Sequence, residues 1–538
     1  MLDFSKRLWE PGLPVSHNLR YNDFYSANHK GRRGLCSPLK YPAILRHPHW
    51  RVKGPMMAKI EQFVVEGLGH QSYLITDEAS GSAAVVDPRR DVDVYLQAAS
   101  SADVRITHVL ETHIHNDYIT GSRELAARTG ATIVASGLDP LHYSFSPVSE
   151  GDHFSLGELT FQALATPGHT PAHTSYLLST RGSEQPEALF SGGSLLVGGA
   201  GRTDLLGEEQ IITLTRQQYQ SLQRLLTTLP EQVTVYPTHG AGSFCLSKND
   251  NNAARITTIG QERVQNPVVR AKSEDDFIAQ QIAGYTAYPS YYQYMAPINR
   301  AGPRIIGGDI PAPLALSPYE VYERMRQGIY LIDGRSSEAF ASDNIPGSLN
   351  FGVGNSFATY IGWLLPFNTP LMLLIEDEAG RHEAVVQLVR IGYERIEGYL
   401  DGGIAQWKAA ALPTSEIDTI DIETLYKRLL RNESFQVLDV RRDDEWSQGH
   451  IPGSTHIHIA ELLLRMDELP TDQPIMTICH TGYRASIAAS MVAATGRSAI
   501  AVRGGMGDWL KSGFPFASSD SDARRKTAPL MNHMHHHP

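Results

Sequence analysis

Thr112-His113-Ile114-His115-Asn116-Asp117-Tyr118 stands one residue beyond the apolar run Ile106 to Leu110. Two histidines at i and i+2 with an aspartate at i+4, in a loop rather than on a helix, converge only when a metal ion or a hydrogen-bond network holds them. Two further polar clusters follow apolar runs in the same way: Thr166-Pro167-Gly168-His169-Thr170 after Leu164, and Pro237-Thr238-His239 after Tyr236. A lone His-x-His reads best as satisfied loop residues. Four histidines at successive strand ends favour a metal site instead, and imidazole with carboxylate suits a borderline ion such as zinc or iron(II).

Outward from that loop, short apolar runs alternate with helical patterns over residues 57–290. Ala83 to Asp87, Ile106 to Leu110, Ala131 to Val134, Leu159 to Leu164 and Val233 to Tyr236 predict strands, while Ile119 to Arg128 and Glu209 to Leu226 predict helices. This is an α/β layout whose histidines sit in strand-end loops, where catalytic groups converge. Beyond it lies an internal repeat. Asp333-Gly-Arg-Ser and Asp439-Val-Arg-Arg are 106 residues apart, as are Ile345-Pro-Gly-Ser and Ile451-Pro-Gly-Ser; Gly402-Gly-Ile-Ala-Gln-Trp407 and Gly504-Gly-Met-Gly-Asp-Trp509 are 102 apart. Two copies of one compact unit, at residues 313–413 and 418–516, explain this, with 291–312 as a linker.

The 538 residues suffice for about three or four domains. With 41% hydrophobic and 20% charged residues, disordered, collagen-like and coiled-coil classes are excluded. The net charge of −11 disfavours nucleic acid as a partner of the whole chain. Apolar runs fall short of the roughly 18 residues that a membrane span needs, and no signal-peptide core stands near Met1, so a cytoplasmic location without a membrane partner is expected. Residues 1–56 carry ten Lys and Arg against three Asp and Glu and no regular period. A disordered basic arm, a targeting peptide and a misplaced start compete there; Asp3 and Glu10 weigh against targeting. The end of the chain, 517–538, holds His533, His535, His536 and His537 and reads as a flexible tail rather than a metal site. Three cysteines, Cys36, Cys245 and Cys479, are too far apart for a disulfide framework or a metal knuckle, so reactivity must explain any that matters.

The motifs His113-x-His115-x-Asp117, Thr-Pro-Gly-His169-Thr and Pro-Thr-His239 resemble those of the metallo-β-lactamase superfamily. With Gly121 and Gly201-Arg202-Thr203-Asp204 they are similar to its persulfide dioxygenase and glyoxalase II branch. The resemblance implies an N-terminal αββα sandwich with the metal at one end, one iron or zinc ion, and a glutathione-carboxylate contact by Arg202. Two residues depart from the pattern. Tyr118 stands at the last histidine of H-x-H-x-D-H, and Gly193, in Phe190-Ser191-Gly192-Gly193, stands at a metal-binding aspartate. A 2-His-1-carboxylate iron centre therefore cannot form in the usual way. Three outcomes stay open: Asp117 or Asp204 replaces the carboxylate, His113, His115 and His169 hold the ion as a neutral set, or the site holds none.

Cys479-His480-Thr481-Gly482-Tyr483-Arg484 lies between the strand pattern Ile475 to Ile478 and the helical run Ile487 to Ala494. Free N–H groups and the helix dipole point at a cysteine so placed, favouring thiolate and cradling an anion, and Arg484 can add charge. A small buried core cysteine is the rival reading, which the polar loop disfavours. Asp439, Arg441, Gly449-His450-Ile451-Pro452-Gly453, the Cys479 loop and Gly504-Gly505-Met506 with Trp509 resemble the rhodanese sulfurtransferases, which implies two α/β rhodanese domains and a Cys479 persulfide. In the first copy Glu376-Asp377-Glu378-Ala379-Gly380-Arg381 takes the place of that loop, so this copy is expected to be silent in sulfur transfer. Together these readings predict a persulfide dioxygenase-like domain coupled to a sulfurtransferase. His480, Thr481, Gly482 and Tyr483 would bind substrate, a small thiol or persulfide such as glutathione persulfide would meet a sulfur acceptor, and copies of the chain could form a homo-oligomer. A glyoxalase II-like thioester hydrolase, or a metal-free N-terminal scaffold for the sulfurtransferase, are the alternatives.

Overall fold

Period-2 alternation builds the first domain. In the strand His70–Asp77, Tyr73 and Ile75 enter one core while Leu74 enters another, and in Ser82–Val86 the pairs Ala84 and Val86 against Ala83 and Val85 divide the same way. A sheet apolar on both faces must be covered on both. The computed structural model, which describes residues 58–183, 185–245, 254–308, 310 and 312–518, shows how. One six-stranded sheet runs in sequence order through Lys59–Val65, His70–Asp77, Ser82–Val86, Arg105–Leu110, Thr132–Ser136 and Ser146–Val148. A second has the order Thr257–Thr258, Thr234–Pro237, Ala188–Gly192, Thr174–Thr180, Leu159–Ala165, His153–Leu156. Tyr73, Val86 and Leu110 of the first meet Phe161, Tyr176 and Phe190 of the second between the sheets. Helices Asp93–Ser101 and Ser122–Thr129 cover one outer face and Ile211–Thr228 the other, completing the αββα sandwich.

The repeat becomes two sheets of equal topology. Ala315–Leu316, Ile396–Leu400, Leu371–Leu374, Tyr330–Asp333 and Leu349–Asn350 lie side by side in that order, and Asp418–Ile420, Ala499–Val502, Ile475–Ile478, Gln436–Asp439 and Thr455–His456 repeat it, all parallel. Shared chemistry holds both copies. Arg335 grips Asp333 as Arg441 grips Asp439, and Trp407 Nε1 donates to Pro413 O at 2.8 Å as Trp509 Nε1 donates to Pro515 O at 3.0 Å.

The arm 1–56 with Cys36, and the tail from 519, lie outside the described residues. Among the described residues no helix is long and apolar enough to cross a membrane. Residues 291–312, expected as a linker, hold the helix Tyr292–Ala301, whose Tyr292, Met295 and Asn299 are buried, Asn299 bonding the histidine loop. From the first repeat copy, Arg390 makes two hydrogen bonds to Asp91 at 2.7 and 2.8 Å, and its carbonyl accepts from Ile119 N–H at 2.8 Å. Arg390 and Asp91 are nearly buried, so breaking the pair strands a charge. Arg390→Ala should lower the first unfolding transition by about 3 kcal/mol in denaturant titration, and Arg390→Met by less.

Candidate metal site and sulfur-transfer loop

Asp87 ends the strand Ser82–Val86 with φ at +48°, a left-handed conformation that costs energy unless its surroundings hold it. Its buried carboxylate accepts from Thr112 N–H at 2.8 Å, from the Thr112 hydroxyl at 2.7 Å, and from the Thr238 hydroxyl. One carboxylate thereby ties the His113 loop to the His239 loop. Because the Thr112 hydroxyl donates to Asp87, its oxygen accepts from His113 Nδ1 at 2.8 Å, leaving the His113 Nε2 lone pair free. His169 Nδ1 donates to the Arg202 carbonyl at 2.7 Å, and His239 Nδ1 lies 3.3 Å from Asp117 Oδ2. All three histidines thus turn Nε2 inward, His113 and His169 held from behind by hydrogen bonds and His239 facing the Asp117 carboxylate.

His113, His169 and His239 offer nitrogens within 4.8 Å of one another, all buried. His113 Nε2 and His239 Nε2 are 3.3 Å apart, about the spacing of two nitrogens on one tetrahedral ion with bonds of roughly 2.0–2.1 Å. Two lone pairs that close repel without a cation or proton between them. His169 Nε2 and both Asp117 carboxylate oxygens are buried without a hydrogen-bond partner. Orphaned donor atoms of this kind are what a metal ion satisfies, so the residues present fit one.

His115 lies beside this set: it forms a second close group with Asp87 and His113 and a third with Asp117 and His239, and both its ring nitrogens are buried without a hydrogen-bond partner. Its Nε2 lies 3.3 Å from both Asp87 Oδ1 and Glu111 Oε2. Burial opposes charge, but Asp87 and then Glu111 outweigh it and raise His115 to about 10. His169 is pushed down to about 3, chiefly by burial and then by His239. Tyr118, in place of the family histidine, donates its hydroxyl to the Asp87 carbonyl at 3.2 Å and packs on His70, ring centroids 4.1 Å apart. The helix Tyr292–Ala301 supports the loop from outside: Asn299 Nδ2 donates to His115 O and Tyr118 O, and the Tyr291 hydroxyl donates to Asp117 O.

Two residues outside the sequence motifs belong to this site. His173 stacks on His113 and accepts the Gly193 N–H at 2.9 Å, while its Nδ1 bonds the Thr166 hydroxyl at 2.8 Å. With both nitrogens engaged it supports the loops rather than facing an ion. Its only signal in the sequence is its position four residues after His169. Glu111 is the second, and no motif marks it.

Arg202 is 1% exposed. Nε and Nη2 bind the Asp204 carboxylate at 2.7 Å, Nη1 the Phe244 carbonyl and Nη2 the Thr286 carbonyl, with the Tyr288 ring centroid 4.5 Å from the guanidinium. Four of its five N–H groups are thus spent inside the protein, and both Asp204 carboxylate oxygens are taken by the guanidinium.

In the second copy the strand Ile475–Ile478 delivers Cys479 to the N-terminus of the helix Tyr483–Ala494. Cys479 Sγ accepts the Gly482 N–H at 3.1 Å, and Gly482 takes φ of +103° to turn that group inward. Met506 N–H and Gly507 N–H bind the carbonyls of Cys479 and His480, and a Cβ on Gly505 would stand 2.4 Å from Cys479 O, so that position needs glycine. His480 and Thr481 are exposed, while Tyr483 donates its hydroxyl to Gly352 O of the first copy. Arg484 places both terminal nitrogens on Glu445, at 2.7 and 2.8 Å; burial works against the carboxylate, but these bonds hold Glu445 down to about 2.

The equivalent loop of the first copy closes on itself. Asp377 caps the helix Glu378–Arg390 by accepting the Gly380 N–H at 2.6 Å, and Arg381 donates to the carbonyls of Ile375 and Glu376. A carboxylate of the chain thus takes the helix-start N–H in this copy, where the second copy turns one to the Cys479 sulfur.

Fold and site define a fused α/β protein that joins a buried, histidine-rich cluster able to hold a metal ion to a cysteine loop. Residues 65–239 match the family model of the metallo-beta-lactamase superfamily, and 317–410 and 422–512 match the rhodanese-like domain. A hydroxyacylglutathione hydrolase of Pseudomonas putida (strain W619) is 30% identical over 228 residues, 37% of this chain and 82% of the relative. The mitochondrial persulfide dioxygenase ETHE1 of Bos taurus is 29% identical over 210 residues, 38% of this chain and 73% of that one. Among solved structures, a metallo-beta-lactamase from Staphylococcus aureus subsp. aureus COL has a TM-score of 0.57 at 30% identity, over 64% of this chain and 98% of its own.

The chain belongs to the metallo-β-lactamase superfamily through its first domain, and two rhodanese-like domains follow.

Proposed function

We propose that the first domain oxidises a low-molecular-weight persulfide such as glutathione persulfide, and that Cys479 exchanges sulfane sulfur with the substrate or product of that reaction. The observation that carries the reading is the pairing of a compact, buried histidine and carboxylate cluster with one open and one self-capped rhodanese loop. A bound iron ion would supply oxygen chemistry and a zinc ion only Lewis acidity. His113, His169 and His239 would hold it, and their partners Thr112, Arg202 and Asp117 fix the rings. At the other site, the Cys479 thiolate attacks the outer sulfur of a donor such as thiosulfate. The S–S bond breaks, sulfite leaves with the electron pair, and Cys479 keeps a persulfide that an acceptor thiolate then removes. Gly482 N–H and the helix start stabilise the negative sulfur. The cytoplasm, whose glutathione pool keeps such a thiol reduced, suits both halves.

Thioester hydrolysis is the second reading, favoured by the similarity to the hydroxyacylglutathione hydrolase. A metal pair bridged by an aspartate, as the family resemblance implies for that chemistry, has no such side chain at Gly193. Oxygen uptake by the iron-loaded chain with glutathione persulfide distinguishes the two. His169→Ala should cut it at least about 100-fold while leaving Cys479-dependent transfer intact. Hydrolysis of S-lactoylglutathione without oxygen uptake would establish the rival.

A further inference from the structure

Gly193 stands at the aspartate position, yet the space of that side chain is filled. A Cβ there would lie 2.2 Å from His169 Cδ2 and 2.8 Å from His169 Nε2. The His169 ring itself occupies the room a carboxylate would take. It is locked there by the Arg202 carbonyl on Nδ1, and a Cβ on Gly201 would meet the ring's other side at 2.9 Å. From that position His169 Nε2 reaches the same point as the inward nitrogens of His113 and His239. His115, nearest in sequence to His113, instead turns Nε2 toward Asp87 and Glu111.

Building on the metal-site reading above, we propose that this chain holds its ion with His113, His169 and His239, His239 serving as third ligand where the carboxylate is missing, with Asp117 its positioning residue and His115 outside the set. Three observations converge on it. The orphaned His169 Nε2 is buried, the Nε2 atoms of His113 and His239 face each other at 3.3 Å, and behind them His113 Nδ1 is bonded to Thr112, His169 Nδ1 to the Arg202 carbonyl, and His239 Nδ1 faces the Asp117 carboxylate at 3.3 Å. The glycine is therefore one half of an exchange whose other half is His239. Three neutral imidazoles leave the ion's charge uncompensated, so its open positions favour an anionic ligand such as a persulfide over a neutral thioester.

The test adds Co2+ to the metal-free full-length chain and follows visible absorption and calorimetry, with circular dichroism on each variant. Wild type should bind one equivalent. His239→Gln should weaken binding at least about 100-fold, as His113→Ala and His169→Ala do, whereas His115→Gln should stay within about threefold. Asp117→Asn should cost about tenfold and shift the absorption bands, which a purely structural residue would not do. Loss of Co2+ in His115→Gln with retention in His239→Gln would overturn the ligand set. If His115→Gln fails to fold, retention by His239→Gln alone overturns it. A wild type that takes up no Co2+ would overturn the metal reading itself, while the expected ligand pattern without oxygen uptake would overturn only the proposed oxidation.

Discussion

Cys479→Ala should abolish sulfur transfer from thiosulfate to cyanide, by about 10³-fold or more, because the step has no other nucleophile at the helix start. Mass spectrometry of the thiosulfate-treated wild type should show one added sulfur, removed by the substitution. Glu376→Ala should leave the rate unchanged, and Glu376→Cys should gain none. In the first copy Asp377 already holds the Gly380 N–H and Arg381 is bonded to the loop's own carbonyls, so a thiol there would find no anion cradle. Transfer activity surviving in Cys479→Ala would refute the assignment.

Gly193→Asp restores the family residue in sequence and should nevertheless damage the site. Its Cβ would overlap the His169 ring, and His169 can yield only by giving up the Arg202 carbonyl. The variant should bind less metal than wild type and lose about 1–3 kcal/mol of stability from overpacking, read by metal analysis and thermal unfolding on the same samples. Full metal occupancy with an unchanged melting temperature would show that the ring moves freely, and that the space is not contested.

The strands were legible because alternation writes itself into composition: Tyr73, Ile75, Ala84 and Val86 fall on one face without any knowledge of partners. Boundaries were less so. The helix expected from Ile119 begins at Ser122, since Ile119 and Gly121 spend their N–H groups on Arg390 and Pro88. The helix Tyr292–Ala301 was hidden by Pro297 and by an aromatic run with no clean period. At the cysteine loop the motif disclosed Cys479 and Gly482, whereas the Glu445 carboxylate on Arg484 is a contact 39 residues away that no spacing rule reports. The histidines were found as a set, but their division was not. It depends on Asp87 and Glu111, which gather His115 from different strand ends, and on a ring filling a glycine's space.

The bonds that Asn299 and Arg390 make to the histidine loop also set an order in time. A chain is synthesised from its N-terminus, so the loop holding His113 and Asp117 leaves the ribosome long before the residues that accept or donate its backbone hydrogen bonds. Until residue 299 appears, His115 O and Tyr118 O lack the amide that joins them, and until residue 390 appears, Ile119 N–H has no carbonyl. The sandwich can pair its strands early, but the loop is finished only when the first repeat copy's helix has docked. Completion of the histidine loop is thereby deferred to a nearly complete chain. The first repeat copy thereby completes a loop of the domain that precedes it.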